Sequence, residues 1–85
     1  MHMPPKRFVY FLRSLAKPNR TYTGLTSDVA GRLGAHNAGR VPSTERHGPW
    51  EILAVVEFQQ EAVAVRFERY LKSGSGQAFA KRHFR

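Results

Sequence analysis

Apolar positions along the chain follow two rhythms, one of period two and one of period 3.6. Phe8-Val9-Tyr10-Phe11-Leu12 is a short β-branched and aromatic run that predicts a strand. Alternation sets Phe8, Tyr10 and Leu12 on one side and Val9 and Phe11 on the other, so this strand is expected to be covered on both faces. Thr21-Tyr22-Thr23-Gly24-Leu25 predicts a second strand, and the turn residues Lys17-Pro18-Asn19-Arg20 predict a hairpin between the two. Gly24, near its end, allows a close backbone approach or a bulge. Trp50 to Phe58, WEILAVVEF, is the longest apolar run. It predicts a third strand, placed in the middle of the sheet or well covered.

The helical rhythm enters after Thr26-Ser27-Asp28, which supplies an N-cap and an acid for the first turn. A helix is predicted over 28–38, with Gly39 where a C′ glycine belongs. Gly31 and Gly34 weaken it by about 1 kcal/mol each relative to alanine, so docking on the sheet must hold it. Val29 and Leu33 form its apolar stripe, and Arg32 and His36, spaced i and i+4, flank that stripe at the edge of a cleft. Residues 40–49 form a polar loop. A second helix opens at Gln59 or Gln60 and runs to about Lys72, with Val63, Ala64, Phe67, Tyr70 and Leu71 on one face. Glu68 lies at the border of that face, about 40° from Ala64. Gly74-Ser75-Gly76 is expected to break the helix, and residues 77–84 to form a last short one with Phe79 and Ala80 inward. The fold class is therefore α+β: one small, mainly antiparallel three-stranded sheet flanked by about three helices, preceded by an extended leader over residues 1–7.

The totals narrow the function. Eighty-five residues suit one domain with one small core. Fourteen Lys/Arg against six Asp/Glu give a formal charge of +8, which favours a polyanionic partner, nucleic acid or an anionic membrane surface. There are no cysteines, which excludes disulfides and thiolate metal sites. No apolar run is long enough for a transmembrane helix, and no signal peptide is evident, so a cytoplasmic protein is expected. His2, His47 and His83 are too dispersed to suggest zinc.

An ordered set of polar residues remains: Val9-Tyr10, then Tyr22-Thr23-Gly24, Arg32-Leu33, His36-Asn37-Ala38-Gly39, Pro49-Trp50-Glu51 and Glu68-Arg69-Tyr70-Leu71-Lys72-Ser73-Gly74. Taken singly, each has an ordinary structural reading. A strand tyrosine is usually core, a helix arginine is usually solvated, and Glu68 can pair with Lys72 at i,i+4 for only about 0.3–0.5 kcal/mol. Taken in order over residues 8–84, the set resembles the GIY-YIG nuclease domain, in particular its small stand-alone bacterial kind. Phe8-Val9 stands where the family name implies Gly-Ile, and Thr23 where it implies Ile; neither change removes a tyrosine hydroxyl.

That resemblance implies an endonuclease acting on DNA, in repair or processing. Tyr10 and Tyr22 would lie side by side, one phenol acting as general base on a water or orienting it. Since tyrosine's ordinary pKa is near 10, a cation must lower it, and Arg32 is expected to do so while forking onto the scissile phosphate. Glu68 would hold one Mg²⁺ or Mn²⁺. His36 would assist proton transfer or bind phosphate. Arg40, Arg46, Lys72, Lys81, Arg82 and Arg85 are the candidate backbone contacts. The alternative is a non-catalytic nucleic-acid-binding module of the same fold. DNA against RNA, a protein partner and the oligomeric state stay open.

Overall fold

The computed structural model describes residues 3–84; Met1, His2 and Arg85, the last a candidate backbone contact, lie outside the described residues. The elements are β1 (Phe8–Ser14), β2 (Thr21–Thr26), α1 (Val29–Asn37), a 3₁₀ turn at Glu45–His47, β3 (Trp50–Glu57), α2 (Glu61–Leu71) and α3 (Gly74–His83). The three strands form one antiparallel sheet in the order β2-β1-β3.

β1 lies at the centre and is covered on both faces: Val9, Tyr10, Phe11 and Leu12 are all buried. Val9 and Phe11 point to one side, where Ala64, Leu71 and Ala80 bring α2 and α3 against the sheet. Tyr10 and Leu12 point to the other, where they meet Trp50, Tyr22 and Leu33 of α1. The placement of β3 in the middle of the sheet is corrected: it is an edge strand. Run length reports hydrophobicity, not the number of neighbours. Glu51 and Glu57 interrupt the pattern, a register shift opposite Phe11 and Leu12 bends the strand, and Ile52 and Val55 stay over a third exposed beyond the reach of the nine-residue α1.

The helix signals act as expected at α1, with one refinement. Asp28 is itself the N-cap, accepting from the Gly31 amide at 3.1 Å, so the first turn carries no acid. Gly39 takes φ 73° at C′. Its amide reaches the His36 carbonyl at 3.1 Å, and the Arg40 amide reaches Ala35 at 2.9 Å, a Schellman closure.

The glycines after α2 behave differently from expectation. The break falls at Lys72 and Ser73, and Gly74 to Gly76 form the first turn of α3. Ser73 caps that turn, accepting from the Gly76 amide at 3.1 Å. Gly76 is buried against the Tyr70 carbonyl and leaves no space for a Cβ, so its role is close helix packing rather than interruption. Tyr70, expected inward, is 42% exposed and rests on the rims of Phe67 and Phe79.

Candidate active site

The site begins with a steric vacancy. Tyr10 and Gly24 are direct cross-strand partners, and a Cβ at Gly24 would collide with the Tyr10 hydroxyl and ring. The missing side chain therefore lets the phenol lie down across β2, a close approach of the kind Gly24 allows. Tyr10 is 1% exposed. Its ring stands edge-on to Tyr22 with centroids 6.0 Å apart.

α1 then supplies two polar side chains one turn apart. His36 is buried, with Nε2 2.9 Å from the Tyr10 hydroxyl and its ring 4.8 Å from that of Tyr22. Arg32 is exposed at the rim, and its Nε donates to the Tyr10 hydroxyl at 3.4 Å. The other ring nitrogen of His36, Nδ1, lies 2.7 Å from Oγ1 of Thr44, a buried residue in the loop between α1 and β3.

That loop is anchored from both ends. The Thr44 hydroxyl donates to the Val41 carbonyl at 3.2 Å, and the Trp50 indole donates to the Thr44 carbonyl at 3.0 Å. The Asn37 carboxamide in turn accepts from the Trp50 amide at 2.7 Å and donates to its carbonyl at 3.2 Å. Asn37 and Trp50 thus hold the loop in place.

Electrostatics overturn one expectation. Burial pushes the Tyr10 phenol above its ordinary pKa; Arg32 pulls the other way but does not prevail, and Tyr22 adds to the rise. A free phenolate at Tyr10 is therefore disfavoured in the resting protein. The expected lowering by Arg32 fails because the hydroxyl is sunk in the sheet while the guanidinium stays in water, where its field is weak. Burial, with help from Arg32, pushes His36 below its ordinary value, so it is neutral at pH 7.

A cavity of about 410 Å³ opens beside this network, lined among others by Tyr22, Thr44, Arg20, His47 and Lys72. Tyr22, half-buried, is thus the phenol that faces open space, with Tyr10 behind it. His47 carries a buried Nδ1 without a hydrogen-bond partner.

Glu68 is placed less directly. α2 packs on the Val9 and Phe11 side of the sheet, and Glu68 makes no hydrogen bond or ion pair with the phenols or with Arg32. Its Oε2 pairs with Lys72 Nζ at 2.9 Å, the i,i+4 pair that the spacing allows, and it is Lys72 that lines the cavity. β2 is the edge strand between them, so α2 flanks the hollow from across its rim. Among the described residues no group of three His, Cys, Asp or Glu gathers to bind a metal. A lone carboxylate fits a hard divalent ion that keeps most of its waters, with Oε1 of Glu68 free of Lys72.

The candidate backbone contacts among the described residues, Arg40, Arg46, Lys72, Lys81 and Arg82, are exposed and lie at different places on the surface. Lys72 lines the central cavity, Lys81 a hollow with Arg13 and Asn19, and Arg82 one with Phe79 and His83. Arg46 lies in the 3₁₀ turn next to His47, and Arg40 just after α1. Thr44, which touches His36, was not among the residues the sequence singled out. It lies in a polar loop without periodicity, where nothing local marks one hydroxyl from another.

Comparison with known proteins places this arrangement. A family model described as the GIY-YIG catalytic domain matches residues 6–82. The "Structure-specific endonuclease subunit SLX1" of Candida dubliniensis is 35% identical over 91 aligned positions, covering 98% of this chain and 30% of that protein. The protein of the same description from Talaromyces stipitatus is 43% identical over 65 positions (69% of this chain, 17% of that protein). That from Cryptococcus neoformans is 41% identical over 71 (76% and 15%). The chain thus spans less than a third of the length of these curated relatives. They are fungal, and a likeness to the bacterial kind in particular is not supported. No solved structure matches. No helix among the described residues is long and apolar enough to cross a membrane.

Proposed function

Since the chain belongs to the GIY-YIG family, we propose that it is a divalent-metal-dependent endonuclease that hydrolyses DNA phosphodiester bonds and selects its substrate by structure. The observation that carries this reading is the buried Tyr10 hydroxyl held between Arg32 and His36, beside a cavity that Tyr22 lines. The names of the relatives support structure selection and action as a subunit, hence a protein partner.

Each residue has a role suited to its position. Tyr22 faces the cavity and orients the attacking water. The proton that water loses passes by way of the phenols to His36, which is neutral and able to receive it. Arg32, exposed beyond its contact with Tyr10, has guanidinium donors left for the scissile phosphate. Arg40, Arg46, Lys72, Lys81 and Arg82 hold the flanking backbone, which supplies affinity without reading sequence. Glu68 holds the one metal ion, Mg²⁺ or Mn²⁺. When bound, that ion stabilises charge on the phosphate and on the 3′ leaving oxygen.

The test is a panel of labelled single-stranded, nicked, branched and plasmid DNA, incubated with and without Mg²⁺ or Mn²⁺. Cleavage of some of these by the wild type, lost with chelator and in Glu68→Ala, is the expected result. Salt-sensitive binding without turnover under every condition would instead establish a binding module.

A further inference from the structure

Four side chains and one carbonyl form a chain of contacts through the site: Arg32, Tyr10, His36, Thr44 and the Val41 carbonyl. Its two ends are chemically one-way. A guanidinium can only donate, and a backbone carbonyl can only accept. At the carbonyl end, the single hydroxyl proton of Thr44 goes to Val41, 3.2 Å away. With its proton on Val41, Oγ1 meets His36 Nδ1, at 2.7 Å, with a lone pair, which calls for the proton of that contact on Nδ1. At the other end, Arg32 fills one lone pair of the Tyr10 oxygen, so the phenol's own proton is free to go to His36 Nε2, 2.9 Å away. The carbonyl end sets this polarity on the imidazole, and the arginine end is compatible with it.

We infer that Thr44 is a positioning residue that locks His36 as the Nδ1–H tautomer, so that the lone pair of Nε2 is aimed at the Tyr10 hydroxyl. The inference rests on the nuclease reading for its purpose, though not for its geometry. With this tautomer, His36 takes the Tyr10 proton as the phenol oxygen takes one from the water side. The Tyr10 O–H bond breaks, the Nε2–H bond forms, and the imidazolium keeps Thr44 as partner of its second N–H. Arg32 stabilises the phenol oxygen while its proton is in transit. With the opposite tautomer, Nε2–H would point at the phenol and no acceptor would exist.

Thr44 is well fitted to the task. It is 3% exposed, and its backbone is fixed by its own amide on Val41 at 3.0 Å and by the Trp50 indole on its carbonyl. A side chain so held cannot readily swing to present its proton to the ring. Deeper in the sequence order, Asn37 clamps Trp50 and so holds the clamp itself.

The experiment reads the ¹⁵N chemical shifts of the His36 ring at neutral pH in the wild type, Thr44→Ser and Thr44→Val, alongside DNA cleavage. In the wild type and Thr44→Ser the expected state is a protonated Nδ1 and an unprotonated Nε2. Thr44→Val, which keeps the shape and loses the hydroxyl, shifts the population toward Nε2–H. Cleavage falls about 100-fold in Thr44→Val and is retained in Thr44→Ser. A wild-type ring protonated on Nε2 overturns the inference. So does a Thr44→Val ring of unchanged tautomer, or cleavage that does not follow the tautomer. Should Thr44→Val fail to fold, the wild-type and Thr44→Ser spectra decide alone. A wild type that cuts no DNA yet shows the expected tautomers counts against the nuclease reading and not against the lock.

Discussion

Tyr10 and Phe11 are consecutive, equally hidden at 1% and 2% exposure, and face opposite sides of the central strand. On the Phe11 side the neighbours are Ala64, Leu71, Ala80 and a set of phenylalanines from α2, α3 and β3's end. This side gains its energy from apolar area and dispersion, and it tolerates small shifts. On the Tyr10 side the neighbours are Trp50, His36 and Thr44, and each polar atom has a named partner. This side is a directed network in a low-dielectric setting, where one lost partner is costly and geometry cannot drift. The comparison teaches that a single strand can set apolar packing on one face and a directed polar network on the other by period two alone.

The division breaks most visibly at the pair itself. Tyr10→Phe should lower cleavage by about 100-fold to 10,000-fold, since it removes one proton-transfer group. Its stability cost should be about 1–3 kcal/mol, because His36 Nε2 loses its buried partner. Phe11→Ala should do the reverse. It should cost about 3–5 kcal/mol in urea melts and leave cleavage per folded molecule unchanged. If Phe11→Ala instead lost activity at full folding, the two faces would not be separable.

Gly24→Ala sharpens the same contrast. The new Cβ would meet the Tyr10 ring and displace its hydroxyl from His36 and Arg32. A shift of this kind should reduce cleavage about 100-fold while costing about 1–3 kcal/mol in stability. A Gly24→Ala protein that cuts at the wild-type rate would show that the close approach has no functional value.

The smallest effect is in pH. His36 is surrounded by Tyr10 and Tyr22 from the sheet, Arg32 from its own helix and Thr44 from the loop. Its pKa is lowered by burial and then by Arg32. A lowered value means that the unfolded chain binds the proton first. The stability contributed by neutral His36 is therefore present above about 6.5 and is lost as pH falls from there through the folded value. Cleavage should hold down through pH 6.5 and fall at lower pH with a slope of about one on a logarithmic scale. An acid limb above pH 6.5 that disappears in His36→Gln would contradict the direction of the shift.

Much of this could be read along the chain. The hairpin, the capped α1 with its glycine at C′, and the pairing of Glu68 with Lys72 are local and depend on residues a few positions apart. So is the two-sided apolar pattern of β1, which required cover on both faces. The order of strands was not local. β3 is more hydrophobic in run length than β1, and only the competition for hydrogen-bond partners on both edges assigned it to the rim. Nor was the helical start at Gly74 legible, because glycines read as breakers until the Tyr70 carbonyl is known to lie against Gly76.

The sequence by itself determined which candidate groups are available to a site: two phenols, a guanidinium, an imidazole and one carboxylate. Only the tertiary structure decided how they are arranged. It buried Tyr10 and left Tyr22 facing the cavity, raised the phenol that Arg32 was expected to lower, and set Thr44 against His36. The reason is physical. Residue identity fixes what can ionise or donate, whereas desolvation and hydrogen-bond direction depend on neighbours from elsewhere in the chain.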